Sequence, residues 1–143
     1  MATYTLKMPH GQFPGEYLPN HWAIDYNPAL GELLTGGNGK NVFVFDTKPS
    51  SANLDTIVDF NVKDDTIWLD DDVFTKAGKV GGLSAGAFHI GAKAHDASDR
   101  VLYDKSTGKL FYDADGDGGV AAVQIALLGK GLALTASDFD IIA

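Results

Sequence analysis

From Gly31 onward, apolar residues come in short alternating blocks, each closed by Gly, Asp or Asn, with no sustained helical period. Such blocks predict strands that bury one face and turn sharply at their ends. The clearest are Asn41 to Asp46, Leu54 to Phe60 and Thr66 to Leu69, followed by Ala87 to Ile90, Arg100 to Asp104, Lys109 to Asp113 and Gly119 to Leu128. Lys105 to Gly108 joins two blocks by four residues ending in Gly, a hairpin length, so an antiparallel meander is expected there. Large Val123, Ile125 and Leu127 alternate with smaller Ala122, Gln124 and Ala126, which suits a central strand covered on both faces. Val73 to Gly78, with Asp70, Asp71 and Asp72 ahead of it and Gly78 at its end, predicts one short helix. Leu134 to Phe139 reads as a capped turn before apolar Ile141 and Ile142.

Residues 1–30 have a different texture. They hold four of the five prolines, mixed with Phe13, Tyr17, Trp22 and Tyr26, and within them only Trp22 to Tyr26 alternates like a strand. The chain is therefore divided into an N-terminal arm or cap, 1–30, and a β domain, 31–143. The aromatic arm either docks on that domain or serves, together with exposed sheet edges, as an adhesion surface for a partner chain, a surface or a polysaccharide.

Composition narrows the function. Nineteen acids face eleven bases, a formal net charge of −8 over 143 residues, so nucleic acid and anionic membranes are disfavoured partners. No apolar run is long enough to insert in a bilayer, and Met1-Ala2-Thr3-Tyr4 opens no N-terminal signal peptide. Cysteine is absent, which removes disulfides, thiolate zinc sites and cysteine nucleophiles together. All acids but Glu16 and Glu32 are Asp, and seventeen residues are Gly, a balance of turn formers in which Asp is also a hard oxygen ligand for Ca²⁺.

Two motifs concentrate these residues. Gly36-Gly37-Asn38-Gly39-Lys40-Asn41 precedes an apolar strand, and its glycines leave backbone carbonyls open. Asp113-Ala114-Asp115-Gly116-Asp117-Gly118 has three carboxylates at spacing two and glycines for a sharp bend, as in positions 1, 3, 5 and 6 of an EF-hand loop, with the Gly119 carbonyl as a further ligand. Gln124 stands where that loop needs a bidentate Glu, so either a weak calcium site or an ordinary Asp-Gly turn is expected.

The first motif resembles the nine-residue glycine-rich repeat of repeats-in-toxin exoproteins, G-G-x-G-x-D-x-U-x, with Asn41 in place of Asp. The resemblance extends over about residues 31–143, through Asp55 to Asn61, Asp64 to Leu69, Ser84 to Phe88, Asp99 to Tyr103, Leu110 to Gly116 and Leu134 to Phe139. It implies a mostly β fold, in which a short glycine-rich β-roll-like rung leads into an antiparallel sheet or sandwich with one or two short helices. It implies Ca²⁺ as cofactor, with Gly36, Asn38, Asn41 and Asp59 joining Asp113, Asp115, Asp117 and Gly119 as metal-site residues. It further implies a secreted protein that folds on calcium outside the cell, with Asp138 to Ala143 as an uncleaved signal for the type I secretion machinery. A single repeat forms the last rung of such a roll, or follows rungs that lie outside the chain.

Catalytic constellations are weak. His10 and His21 lie in the arm, His89 sits in an apolar block as a packed histidine would, and with His95 no zinc-type spacing is formed. No Ser occupies a G-x-S-x-G elbow, so enzyme activity is not expected.

Overall fold

The computed structural model describes residues 21–25, 33–51 and 54–143. These residues form eleven strands: β1 (His21–Asp25), β2 (Leu33–Leu34), β3 (Lys40–Phe45), β4 (Asp55–Ile57), β5 (Thr66–Asp70), β6 (Gly81–Gly82), β7 (Phe88–Ile90), β8 (Val101–Asp104), β9 (Lys109–Tyr112), β10 (Val123–Leu127) and β11 (Phe139–Ile142). The mostly β expectation is met. Within the arm, the strand expected near Trp22 is β1; the rest of the arm reading falls outside the described residues.

The strands make two sheets, ordered β1-β3-β5-β11-β6 and β2-β4-β10-β9-β8-β7. From β1 to β5 the chain alternates between sheets, and each pass lies parallel to the pass before it. The polypeptide thus winds as a flattened coil rather than contributing one rung. Leu33 lies beside Thr56 and Val42 beside Thr66, so each of these pairs marks one complete turn of coil. β10 and β11 add a further turn, parallel to β4 and β5, after a long excursion through β6 to β9. The expected meander is present as β8-β9-β10, but both sheets are mixed, not antiparallel. The reason is topological: a chain that crosses to the opposite sheet and returns arrives running in its original direction.

Alternation selects the faces. Phe43, Phe45, Ile67, Leu69, Phe139 and Ile141 of one sheet meet Ile57, Val101, Tyr103, Leu110, Ile125 and Ala126 of the other in one buried core. Full burial of each large apolar side chain contributes about 1.5–3 kcal/mol. Val42, Val44, Trp68 and Ile142, from the opposite face of β3, β5 and β11, form a second buried cluster, so these strands are covered on both sides.

Two local expectations are corrected. The helix expected over 73–78 is a series of turns: Val73 and Phe74 donate to the Asp70 carbonyl, Ala77 to that of Phe74, and Phe74 is buried in the core. The described helical segments are two three-residue 3₁₀ turns, Ala85–Ala87 and Ala136–Asp138. A bulge in β10 between Gln124 and Ala126 breaks the alternation, burying Ile125 and Ala126 together and leaving Val123 exposed. β10 is nonetheless central, between β4 and β9.

Gly108 ends the β8–β9 connection at φ +83°, and a Cβ there would lie 2.2 Å from the Leu128 carbonyl oxygen. Gly131, at φ +71°, has nothing within 4 Å of the same position. Gly131→Ala therefore carries only left-handed backbone strain, about 1 kcal/mol, whereas Gly108→Ala adds a backbone clash and is expected to cost at least about twice that. Urea denaturation midpoints of the two variants measure the difference; equal losses would contradict it.

Candidate metal centre

Successive turns of the coil lie over one another at the end where β2 leads to β3 and β4 leads to β5. Leu34 pairs with Ile57 and Val42 with Thr66, so the turn 35–41 stacks on the turn 58–65. Asp59 uses both carboxylate oxygens across this stack, accepting from the backbone N–H of Gly36 at 2.9 Å and of Gly37 at 2.8 Å. Gly36 has to be glycine, since a Cβ would lie 2.7 Å from the Asn41 amide nitrogen.

Asn41 and Asp65 are the buried centre of the stack. Asp65 Oδ1 accepts from the Asn41 backbone N–H at 3.0 Å and from Asn41 Nδ2 at 3.1 Å, while Asp65 Oδ2 accepts from the Asn61 N–H at 2.8 Å. Asn41 Nδ2 also donates to the carbonyls of Gly37, at 3.1 Å, and Gly39, at 3.3 Å. Two carbonyls and one carboxylate oxygen thus converge on a single nitrogen. Asn41 Oδ1 is buried with no hydrogen-bond partner. Asn41, Asp64, Asp65 and Asp138 line an open cleft of about 360 Å³. Asn38, at the tip of the turn, is exposed.

Asp138 enters from the next turn of the coil, one residue before Phe139, which pairs with Ile67. Its carboxylate accepts from the Thr135 N–H at 2.8 Å, capping the turn expected over 134–139. Burial pushes its carboxyl above the ordinary aspartate range, against the lowering effect of that hydrogen bond.

The Asp113 loop folds differently from an EF-hand. Asp113 is buried, and its Oδ1 turns back to accept from the N–H groups of Asp115, at 3.2 Å, and Gly116, at 3.0 Å. Asp115 Oδ2 accepts from Val120 N–H at 3.1 Å, and its Oδ1 is buried without a partner. At Gly116, φ +69°, a Cβ would run into the Asp96 carbonyl, which accepts from Asp117 N–H at 3.1 Å. Asp117 and Gly119 are exposed. The loop is shaped by the 95–99 segment beneath it, and Asp113, Asp115 and Asp117 do not converge on one point.

Among the described residues, two other groups do bring three ligand atoms within 4.8 Å of one another: Asp70 with Asp71 and Asp72, and His89 with His95 and Asp99. Both are acidic or histidine clusters able to hold a metal ion. The first also organises its turn, Asp70 Oδ1 accepting from Asp72 N–H at 2.9 Å. In the second, His95 Nδ1 lies 2.6 Å from Asp99 Oδ2. That contact, with the Asp99, Asp96 and Asp117 charges, holds His95 above its ordinary value despite partial desolvation. Burial pushes the Asp99 carboxyl up, but the N–H groups of His95 and Asp96 and the His95 ring outweigh it, and the net shift is downward.

Of the residues expected from the sequence, Gly36, Asn41 and Asp59 meet in this stack with Asn38 at its exposed tip, while Asp113, Asp115, Asp117 and Gly119 lie in the separate loop; Asp65, Asp138, His95 and Asp99 were not among the expected ligands. Asp65 carries a readable signal, since Asp65-Thr66-Ile67 repeats the placement of Asn41-Val42-Phe43 one turn of coil later. No family model matches the chain, and neither does any curated protein or solved structure. Among the described residues no helix is long and apolar enough to cross a membrane.

Asp138 supplies a test by pH. Its folded pKa is raised, so its favourable contribution is complete below the ordinary value of 3.8 and is lost as pH rises through the folded value. Asp138→Asn keeps an oxygen acceptor for Thr135 and buries no charge. In chelator, its melting temperature is expected above that of the unaltered protein at pH 7, with the gap closing near the ordinary carboxylate value; a gap independent of pH would refute the assignment.

Proposed function

We propose that this chain is a secreted calcium-binding module whose coil is completed by Ca²⁺, with its last residues carrying a type I export signal. One observation carries the reading: the Gly37 and Gly39 carbonyls and Asp65 Oδ1 point at one position, filled by the Asn41 amide nitrogen. These are hard oxygen donors of the kind Ca²⁺ selects. The donor set fits the ion, because turning the Asn41 amide would replace Nδ2 by the partnerless Oδ1. Four oxygens facing one another would then require a cation. Asp64 and Asp138, at the same cleft, add negative charge. The chain's own Asn41 amide satisfies this set in the absence of metal, which favours a weak site, with dissociation constant on the order of 10⁻⁴–10⁻³ M.

Calcium acts here as a folding ligand. At a hundredfold excess over the dissociation constant it adds about 2.7 kcal/mol to the native state. Inside a cell, with calcium scarce, the acidic turns repel and the coil is less stable; outside, binding adds to its stability. The C-terminal tail supports this order of events. Phe139, Ile141 and Ile142 are buried in β11 between β5 and β6, so an export apparatus can read them only before folding. The resemblance to repeats-in-toxin exoproteins supports the same assignment.

Melting curves in ~10 mM CaCl₂ and in chelator provide the test. The unaltered protein is expected to melt several degrees higher with calcium. Asn41→Asp removes the internal amide donor and adds a carboxylate, so it should melt lower than the parent in chelator and gain more from calcium. Superimposable curves with and without calcium, for parent and variant alike, would remove the ion from the account.

A further inference from the structure

The second convergent cluster has a different chemistry. His89 is the middle residue of β7, paired with Leu102 of β8, and is half-buried. His95 lies on the following loop and stacks on it, with ring centroids 4.1 Å apart and planes at 19°. The loop can bring the rings so close because Gly91 has no side chain; a Cβ there would lie 3.0 Å from His89 Nε2. Beneath the pair sits Asp99, 1% exposed, whose Oδ2 takes the backbone N–H groups of His95 (2.7 Å) and Asp96 (3.2 Å) as well as His95 Nδ1. Its other oxygen, Oδ1, is buried with no hydrogen-bond partner.

A buried carboxylate oxygen without a donor is costly, about 1–3 kcal/mol or more for a charged group, and a cation is what such an oxygen lacks. The surroundings favour a dication. Asp96 Oδ2 lies 3.3 Å from His95 Nε2, and the Asp117 charge also acts on His95. Arg100, next in the chain, turns its guanidinium to the carbonyls of Lys76, Ala97 and Asp99.

We propose that His89, His95 and Asp99 form a binding site for a first-row transition-metal dication such as Zn²⁺, independent of the calcium reading. Two imidazoles and one carboxylate suit zinc, copper or nickel, whereas calcium takes six to eight oxygens and little nitrogen. A tetrahedral zinc ion holds its ligand atoms roughly 3.3 Å apart, given metal–ligand bonds of about 2.0–2.2 Å. The three side chains already bring atoms within 4.8 Å, and His95, with its side chain 60% exposed, can move inward without disturbing the core. Binding the ion displaces to solvent the proton held between His95 Nδ1 and the Asp99 carboxylate. Three protein ligands leave a fourth position to water or to Asp96.

Calorimetric titration of the full chain with ZnCl₂, in buffer already containing millimolar CaCl₂, tests the site. One ion per chain is expected. The same site filled with Co²⁺ should give the visible absorption of a four-coordinate cobalt with nitrogen ligands. His95→Ala, an exposed position, should keep the circular dichroism of the parent and bind zinc at least roughly tenfold more weakly. His89→Gln should do likewise, while His10→Gln with His21→Gln should bind as the parent does. Absence of zinc binding by the parent, or equal affinity in His95→Ala, would overturn the proposal and leave the stacked histidines as a brace for the loop.

Discussion

The structure depends on aspartate carboxylates accepting the backbone N–H groups of turns. A coil that crosses between two sheets must bend sharply at every crossing, and each bend leaves N–H groups with no ladder partner. Asp59 takes those of Gly36 and Gly37, Asp65 those of Asn41 and Asn61, Asp99 those of His95 and Asp96, Asp113 those of Asp115 and Gly116, and Asp138 that of Thr135. Hydrogen bonds to a charged acceptor contribute about 1.5–3 kcal/mol each, more than neutral ones. In a chain with no cysteine, Asp59 and Asp65 tie adjacent turns in this way, while Asp99, Asp113 and Asp138 brace the turns they sit in. Asp outnumbers Glu for the same reason, its shorter side chain reaching back to nearby backbone where Glu would overshoot.

That solution has an electrostatic consequence. Carboxylates drawn into turns lie close to one another, as Asp64, Asp65 and Asp138 do at one cleft and Asp70, Asp71 and Asp72 at another turn. Some are held low by their donors, as Asp96 and Asp104 are by serine hydroxyls nearby. Others, Asp138 and Asp140, are pushed up by burial. A cation bound at such turns would do, from outside, what the turn N–H groups do from within. The calcium reading at Asn41 and Asp65 and the transition-metal reading at His89, His95 and Asp99 draw on this one property through different donor atoms.

The strands were legible because their pattern is local. β3, β5, β8 and β9 fall within a residue or two of the alternating blocks that predict them, and β8 to β10 form the meander implied by the short Lys105 to Gly108 link. One reading failed for a tertiary reason. Val73 to Gly78 carries helix-like signals, yet burial of Phe74 in the core and the bonding of Asp71 to Ile142 hold it as turns. The Asp113 loop carries the spacing of a calcium loop, and its packing against Asp96 and Ala97, with Asp113 bonded to its own backbone and Asp117 exposed, is a tertiary feature that the spacing does not show. The coil was hidden because its close turns, Leu33 to Thr56 and Val42 to Thr66, are followed by the long excursion through β6 to β9 before β10 and β11 resume the winding. Spacing that irregular does not read as a repeat.

By itself the sequence determined the β class, the positions of most turns, and an oxygen-rich, thiol-free set of side chains, because alternation, glycine and aspartate act over a few neighbouring residues. Tertiary structure decided which donors meet. Asn41 joins Asp65 from the adjacent turn of coil, Asp138 reaches the same cleft from just before the last strand, and His89 stacks on His95 around a glycine bend. Those meetings follow from strand register and the path of the coil, and register is a property of the packed sheets as a whole.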